Sequence, residues 1–218
     1  MTPTIVTDNF LKYPNKLLEF SKQCTFSKDS IGKWPGERSD HLHNIDNNLF
    51  SFLHKKIFAI LYPEHYENIV YLASSCFQKI NGNNYNHEGW VHNDDCLLTV
   101  ILYLSNHNNC GTSLWEPKQF IKEPINSKEK EKMYKGEITT KDGLPYLKEN
   151  NNLFNKTLTI NSKFNRLLIF DSKTYHSAES FKDVNCDEDR LTFISFIHNF
   201  HHPKTNLKNP ILENMRLD

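Results

Sequence analysis

The sequence contains no apolar run approaching the length of about 20 residues that a membrane-spanning helix needs. Its N-terminus also lacks a basic start followed by an apolar core, so we expect no secretory signal peptide. Lysine plus arginine and aspartate plus glutamate number 26 each, which makes the formal net charge zero. The overall charge therefore favours neither nucleic acid nor an anionic membrane surface as a partner. Together these absences predict a soluble, cytoplasmic protein.

The cysteines show neither a disulfide framework nor the spacing of a zinc site. There are five of them, an odd number, and no two form a CxxC pair. We interpret them as free thiols of a protein in a reducing compartment, at Cys24, Cys76, Cys96, Cys110 and Cys186.

Helical signals are confined to the first part of the chain. Apolar residues recur at helical spacing from residue 47 to residue 61, and Pro63 follows. A second amphipathic helix is predicted within residues 8–23. Pro14 leaves open whether that helix begins there, with proline in its first turn.

From residue 69 onward the pattern changes to strands. Segments rich in strand-forming residues are 69–80, 97–105, 112–116, 156–160, 166–170 and 191–197. The segment 97–105 is apolar on both faces, which is typical of a strand buried between two layers. Helices followed by seven or eight strands predict an all-β sandwich or barrel with helices on one side.

The length of 218 residues suits one domain with a sizeable core. We therefore predict a single domain over residues 1–218, with residues 1–66 as a helical support and residues 67–200 as the β core. Residues 117–155 are polar and charged, and so long a stretch without an element usually forms a lid, a binding loop or an insertion. Residues 201–218 are predicted to be a C-terminal tail.

The motif WVHNDD (90–95) stands directly before the buried strand. Side chains at positions i and i+2 of a strand point to the same side, so His92 and Asp94 can face one point. An imidazole and a carboxylate supply two ligands of a facial Fe(II) site, which needs one more histidine. Alone the pair is weak evidence, because a polar turn would look the same. Asp95 is an alternative ligand, although strand parity favours Asp94.

A candidate third ligand stands in the segment FNRLLIFDSKTYHSAESF, where His176 follows a strong strand. Arg190 opens the next strand, 14 residues later, where it can pair bidentately with the distal carboxylate of a dicarboxylate ligand. Both residues have ordinary alternatives. His176 can be a structural histidine, and Arg190 can pair on the surface with Glu188 or Asp189.

Other polar residues carry weaker signals. Arg38, in the Pro-Gly turn WPGERSD, can lie over the mouth of a site or be a surface charge. His87 stands at an odd spacing from His92, which places it on the other side of a regular strand. His201 and His202 follow the last strand and are interpreted as surface residues.

The chain resembles the 2-oxoglutarate/Fe(II)-dependent dioxygenases in the order of its motifs. These are the HxD pair, a strand ending in YL, the strand GTSLW, RLLIF, a histidine and Arg-x-Thr. The resemblance is to their prolyl-hydroxylase-like branch, and within it to uncharacterised bacterial and phage members. The motifs cover about residues 77–197. The resemblance implies a mainly β fold, a double-stranded β-helix (cupin-like jelly-roll) with the N-terminal helices packed on one sheet.

The resemblance also implies a set of site residues. The metal ligands would be His92, Asp94 and His176, and the partners of the 2-oxoglutarate carboxylate would be Arg190, Thr192 and Tyr103. The cofactors would be Fe(II) and 2-oxoglutarate, with O2 as co-substrate and ascorbate as a further candidate. The implied reaction is hydroxylation of a protein side chain, an amino acid or a small metabolite. Halogenases of this superfamily lack the carboxylate ligand, so Asp94 argues against halogenation.

The alternative class is a non-catalytic jelly-roll that holds a structural metal or a sugar. An inward-facing Arg190 would argue against it, because a structural metal has no use for a cation beside its histidine. A nucleic-acid demethylase is disfavoured, because RLTFISF lacks the second arginine of the pattern R-x-N-x-T-x-R. We expect a small-molecule or peptide substrate, no nucleic-acid partner and no membrane contact. The substrate's identity and the oligomeric state are not indicated by the sequence.

Overall fold

The structure, a computed structural model, describes residues 3–121, 125–183 and 188–207. Its strands are Ile5–Thr7 (β1), Phe26–Lys28 (β2), Glu37–Ser39 (β3), Val70–Ile80 (β4), Leu98–Tyr103 (β5), Thr112–Pro117 (β6), Phe154–Ile160 (β7), Leu167–Asp171 (β8), Tyr175–Ala178 (β9) and Arg190–His201 (β10). Its α-helices are Pro14–Lys22 (α1), Leu42–Ile45 (α2), Asn47–Leu61 (α3), Ser127–Lys135 (α4) and Thr140–Asn151 (α5). None of the helices within these ranges has the length and apolar character needed to cross a membrane.

The strands form two antiparallel sheets. The large sheet has the order β1-β8-β5-β10-β4-β3-β2, and the small sheet has the order β7-β6-β9. The mainly β architecture is thus confirmed. The described residues contain ten strands rather than seven or eight. The additional ones are too short to show an alternating pattern, since β1, β2 and β3 have three residues each.

The two faces of the large sheet have different partners. On one face, Phe77, Val100 and Phe193 belong to the main hydrophobic core, together with residues of α1, α2 and α3. This packing confirms that N-terminal helices cover one sheet. On the other face, Ile101 and Phe170 form a second core with Leu114 and Ile160 of the small sheet. A cavity lies on the same face of the large sheet.

Helix α3 has the predicted bounds because both of its ends are encoded locally. The side chain of Asp46 accepts hydrogen bonds from the backbone nitrogens of Asn48 and Leu49, both at 2.9 Å, and such a cap contributes about 1 kcal/mol. Pro63, just beyond the end, cannot continue the helix. Helix α1 begins at Pro14, the later of the two starts that the sequence allowed.

Residues 117–155 are not the stretch without elements that their polarity suggested. They contain α4 and α5, which pack on each other and on Trp90 through Met133, Tyr134 and Leu147. Glycine at 136 ends α4 in the left-handed region, with φ of 82°. Lysine and glutamate dominate α4, so its two buried apolar residues give no readable period. Residues 122–124 lie outside the described part.

The N-terminal segment is more than a helical support. Strand β1 pairs with β8, and β3 pairs with β4, so this segment extends both edges of the large sheet. The predicted tail is described only as far as residue 207. Within it, His201 is exposed and His202 partly exposed, as expected for surface residues.

Candidate metal and substrate site

The segment that carries HxD lies beside β9 rather than in a regular strand. His92 and His176 form an isolated antiparallel bridge, in which each backbone nitrogen donates to the other residue's carbonyl, at 3.0 and 2.8 Å. The nitrogen of Asp94 donates to the carbonyl of Ser172 at 2.9 Å. The extended backbone between these bonds directs the side chains of His92 and Asp94 to one side, as strand parity predicted.

The three predicted ligands converge. One ligand atom from each of His92, Asp94 and His176 lies within 4.8 Å of the others. The Nε2 atoms of His92 and His176 lie 3.6 and 3.3 Å from the carboxylate oxygens of Asp94. Each Nδ1 donates to a backbone carbonyl, of Trp90 at 2.8 Å and of Thr174 at 3.0 Å. These bonds fix the tautomer that leaves both Nε2 lone pairs available to a metal.

Neighbouring polar groups orient the carboxylate of Asp94. Thr99 donates its hydroxyl hydrogen to Oδ2 of Asp94 at 2.6 Å, and Thr99 is itself in contact with the hydroxyl of Ser172 at 3.0 Å. Asp95, the alternative ligand, points away, and its exposed carboxylate pairs with Lys173 at 3.1 Å.

The electrostatics of the triad suit cation binding. Burial, with Lys130 and His176 nearby, lowers the pKa of His92 to about 3. The side chain of His92 is 36% exposed and lines a cavity. Burial raises the pKa of Asp94, whereas the nearby imidazoles of His176 and His92 and the hydrogen bond from Thr99 lower it by more, and the net pKa is lowered. A neutral imidazole beside an ionised carboxylate is the state that a metal requires.

The triad opens onto a cavity of about 470 Å³. Its walls are one face of the large sheet, the segment at residues 89–95, helix α4 and the turn at residues 33–38. The lining residues include Trp34, Arg38, Thr112, Lys130, Arg190 and Phe196.

Arg190 faces inward and does not pair on the surface. It is 5% exposed, its Nε donates to the carbonyl of Cys110 at 2.9 Å, and its Cζ lies 5.8 Å from the ring centre of Tyr103. Thr192 is buried, and its hydroxyl has no hydrogen-bond partner among the described residues. Thr192 and Tyr103 are cross-strand neighbours, so the three predicted carboxylate partners form one cluster.

The hydroxyl of Tyr103 is already engaged. It lies 2.8 Å from the hydroxyl of Thr112, which lines the cavity where Tyr103 does not. The sequence predicted the strand GTSLW, but it predicted no site role for Thr112. Thr112 directly follows Gly111, in the strand that resembles the Gly-Thr strand of the dioxygenases, and this position was the signal for its role.

Two cations in the cavity come from elements outside the motifs. Arg38 lies over the ring of Trp34, with its Cζ 4.1 Å from the ring centre, which places it at the cavity rather than on the surface. Lys130 projects from α4, and burial lowers its pKa to about 8. The sequence allowed Arg38 either position and gave no sign of Lys130, which stands among the lysines and glutamates of α4.

The last turn of α5 holds the segment that leads to His92. Asn151 accepts a hydrogen bond from the nitrogen of Val91 at 2.9 Å and donates to the carbonyl of Gly89 at 3.0 Å. Asn150 donates to the carbonyl of Val91 at 3.1 Å. The polar insertion therefore anchors the metal-site segment, a role that its composition did not indicate.

The remaining sequence candidates are not among the converging ligands. His87 is buried, and its Nδ1 bonds with the carbonyl of Glu88. Cys24, Cys76 and Cys96 are free thiols. Cys186 falls outside the described residues.

Comparison with known proteins identifies a family and a fold. A family described as "Family of unknown function (DUF6445)" matches residues 1–197. No curated protein matches the sequence. Among solved structures, the epimerase SnoN from nogalamycin biosynthesis, described as non-heme and alpha-ketoglutarate dependent, is 11% identical with a TM-score of 0.54, over 95% of this chain and 88% of that one.

Two further enzymes share the fold. HygX from Streptomyces hygroscopicus, solved with nickel and 2-oxoglutarate, is 9% identical with a TM-score of 0.55, over 94% of this chain and 85% of that one. EvdO2 from Micromonospora carbonacea var. aurantiaca, complexed with 2-oxoglutarate, is 10% identical with a TM-score of 0.54, over 96% and 91%. The chain therefore has the fold of 2-oxoglutarate-dependent enzymes.

Proposed function

We propose, for a chain that belongs to the DUF6445 family of unknown function, that it is an Fe(II)- and 2-oxoglutarate-dependent oxygenase that hydroxylates a C–H bond of its substrate. The observation that carries this proposal is the convergence of His92, Asp94 and His176 on a cavity that Arg190 also lines. The sheet arrangement would then be the double-stranded β-helix, in its prolyl-hydroxylase-like variant.

The residues present fit both cofactors. Two imidazoles and one carboxylate on one side of a metal leave the other positions open, which is the donor set of non-heme Fe(II) oxygenases. The guanidinium of Arg190 is buried and has no ion-pair partner among the described residues, and the buried hydroxyl of Thr192 lacks a hydrogen-bond partner there, so the two suit a carboxylate ligand. Arg190 and Thr192 would hold the distal carboxylate of 2-oxoglutarate.

The chemistry divides between the cofactors and the chain. Bound Fe(II) and 2-oxoglutarate would supply O2 activation coupled to oxidative decarboxylation. The chain's own residues bind and orient. Thr99 holds the carboxylate of Asp94, and the carbonyls of Trp90 and Thr174 hold the imidazoles. Arg190 would hold the dicarboxylate.

An anaerobic titration tests the proposal. The metal-free protein is loaded with Fe(II) and then with 2-oxoglutarate, while the visible spectrum is followed for a weak metal-to-ligand charge-transfer band. We expect the band in the wild type and its loss in His176→Ala. In Arg190→Gln we expect it to need at least tenfold more 2-oxoglutarate, which corresponds to about 1.4 kcal/mol of lost binding.

The same titration separates this proposal from its rival. A folded protein that binds Fe(II) but develops no band at any 2-oxoglutarate concentration would be a metal-binding module without oxygenase chemistry. Succinate released under O2, with a stoichiometric hydroxylated product, would establish hydroxylation rather than another oxidation.

A further inference from the structure

Two cations remain in the cavity once the proposed cofactors are counted. Fe(II) with Asp94, and the dianion of 2-oxoglutarate with Arg190, neutralise one another. Arg38 and Lys130 line the same cavity, and neither has a carboxylate within ion-pair distance among the residues that the structure describes. Lys33 and Glu131 also border the cavity, and their opposite charges offset each other. Asp95 borders it too, but its carboxylate pairs with Lys173 at 3.1 Å.

The guanidinium of Arg38 is held ready for a ligand. Its Cζ lies 4.1 Å from the centre of the Trp34 ring, which fixes the plane of the group and leaves its edge available. The turn beneath it is tied down, because Gln78 donates to the carbonyl of Pro35 at 2.8 Å. The Nε of Arg38 and the indole nitrogen of Trp34 are both shielded from solvent. Neither has a hydrogen-bond partner among the described residues.

Lys130 approaches the same space from α4. Lys130 lines the same cavity as Arg38 and Asp94. Cations withdrawn from water without an ion-pair partner are costly, and the cost is relieved when an anion lies between them. The guanidinium of Arg38 and the ammonium of Lys130 can only donate hydrogen bonds, so they suit a ligand rich in acceptors.

We infer that the substrate carries a carboxylate, bound between the edge of Arg38 and the ammonium of Lys130. The two terminal nitrogens of a guanidinium can bind the two oxygens of a planar carboxylate side by side. The adjacent walls are apolar, through Trp34, Ile194 and Phe196, so the body of the substrate is apolar or aromatic. The inference rests on the proposed function only in assigning Arg190 to 2-oxoglutarate.

Binding measurements without turnover test this. The protein is loaded with redox-inert Mn(II) and saturated with N-oxalylglycine, an analogue of 2-oxoglutarate, so that Arg190 is occupied. Benzoate, the neutral isostere benzamide and phenylphosphonate are then titrated by isothermal calorimetry. We expect benzoate to bind at least tenfold more tightly than benzamide. Arg38→Gln and Lys130→Gln should each remove that preference, whereas Lys128→Gln, an exposed change on the same helix, should leave it intact.

Other outcomes overturn the inference. Equal binding of benzoate and benzamide, no binding of either, or a preference that survives in both Arg38→Gln and Lys130→Gln would refute the carboxylate site. Tighter binding of phenylphosphonate than of benzoate would assign a phosphoryl group instead. Arg38→Lys, which keeps the charge and loses the planar guanidinium, guards against simple misfolding. Partial retention of the preference in that variant supports the inference.

Failure of the proposed function has a different signature. N-oxalylglycine affinity, measured first, should fall in Arg190→Gln and stay within twofold of wild type in Arg38→Gln. A protein that binds benzoate through Arg38 but never binds N-oxalylglycine would keep the carboxylate site and lose the oxygenase assignment.

Discussion

His92 and His176, 84 residues apart in the sequence, exchange two backbone hydrogen bonds and face each other with ring centres 4.5 Å apart. The two imidazoles are thus positioned by a single β-bridge rather than by separate strands. Metal that binds both rings would also hold this bridge closed. Saturation with Mn(II) at 100 times its Kd should therefore stabilise the fold by about 2.7 kcal/mol.

That stabilisation should depend on Asp94 and not on Asp95. We expect Asp94→Ala to lower Mn(II) affinity by at least about 100-fold and to abolish the shift in thermal midpoint, because one of the three ligands is lost. Asp95→Ala is the matched control, since its carboxylate is exposed and pairs with Lys173. Equal loss in the two variants would contradict the assignment of the ligand.

Thr99 acts on the metal through Asp94. Thr99→Val keeps the shape of the side chain and removes the 2.6 Å hydrogen bond to Oδ2, so we expect metal affinity to fall by about 10- to 100-fold. Thr99→Ser restores the hydroxyl and should restore the affinity. Mn(II) titration followed by electron paramagnetic resonance measures both, and an unchanged affinity in the valine variant would exclude the positioning role.

His54 should make the fold sensitive to acid. It is fully buried, donates from Nδ1 to the carbonyl of Phe50 at 2.8 Å and accepts from the hydroxyl of Ser195 at 2.8 Å. Burial lowers its pKa from 6.5 to about 4 in the folded state. The neutral form is therefore favoured by folding, and this contribution is complete above pH 6.5 and lost as the pH falls through 4.

The loss should reach about 3 kcal/mol between pH 7 and pH 4. Urea unfolding of wild type and His54→Gln across this range measures it, because the variant should show a shallower dependence of the free energy of unfolding on pH. The exposed His41→Gln should keep the wild-type slope. Parallel curves for His54→Gln and wild type would contradict the prediction.

The insertion should unfold separately from the main core. Leu147 is buried in the small cluster with Trp90, Met133 and Tyr134, and truncation of such a residue costs about 2–5 kcal/mol. We expect Leu147→Ala to raise hydrogen exchange over residues 127–151 while β4, β5 and β10 stay protected. Ile57→Ala, in the main core, should instead lower the stability of the whole domain. Uniformly faster exchange in Leu147→Ala would show one cooperative unit.

Much of the fold was predictable because it is encoded locally. Helix α3 carries its own cap and terminating proline, and the long strands β4, β5 and β10 are rich in strand-forming residues. The convergence of His92, Asp94 and His176 followed from the resemblance to dioxygenases, since the spacing of one HxD pair and one distant histidine does not itself define a site.

The rest depended on tertiary contacts that leave little trace in the sequence. Strands β1, β2 and β3 exist through pairing with longer strands, not through an alternating pattern of their own. Helix α4 is covered with lysine and glutamate, so the inward position of Lys130 cannot be distinguished from its exposed neighbours. The engagement of Tyr103 by Thr112 requires two sheets to be placed face to face.

The grip of Asn150 and Asn151 on residues 89–91 has a consequence for remodelling this protein. Lys130 and these asparagines belong to the same insertion, so the wall that would recognise a substrate and the brace of a metal ligand are one continuous piece. Exchange of the whole insertion for that of a relative would change the substrate specificity. It would also disturb the position of His92 at the metal site. A graft that retains the final turn of α5 would separate the two.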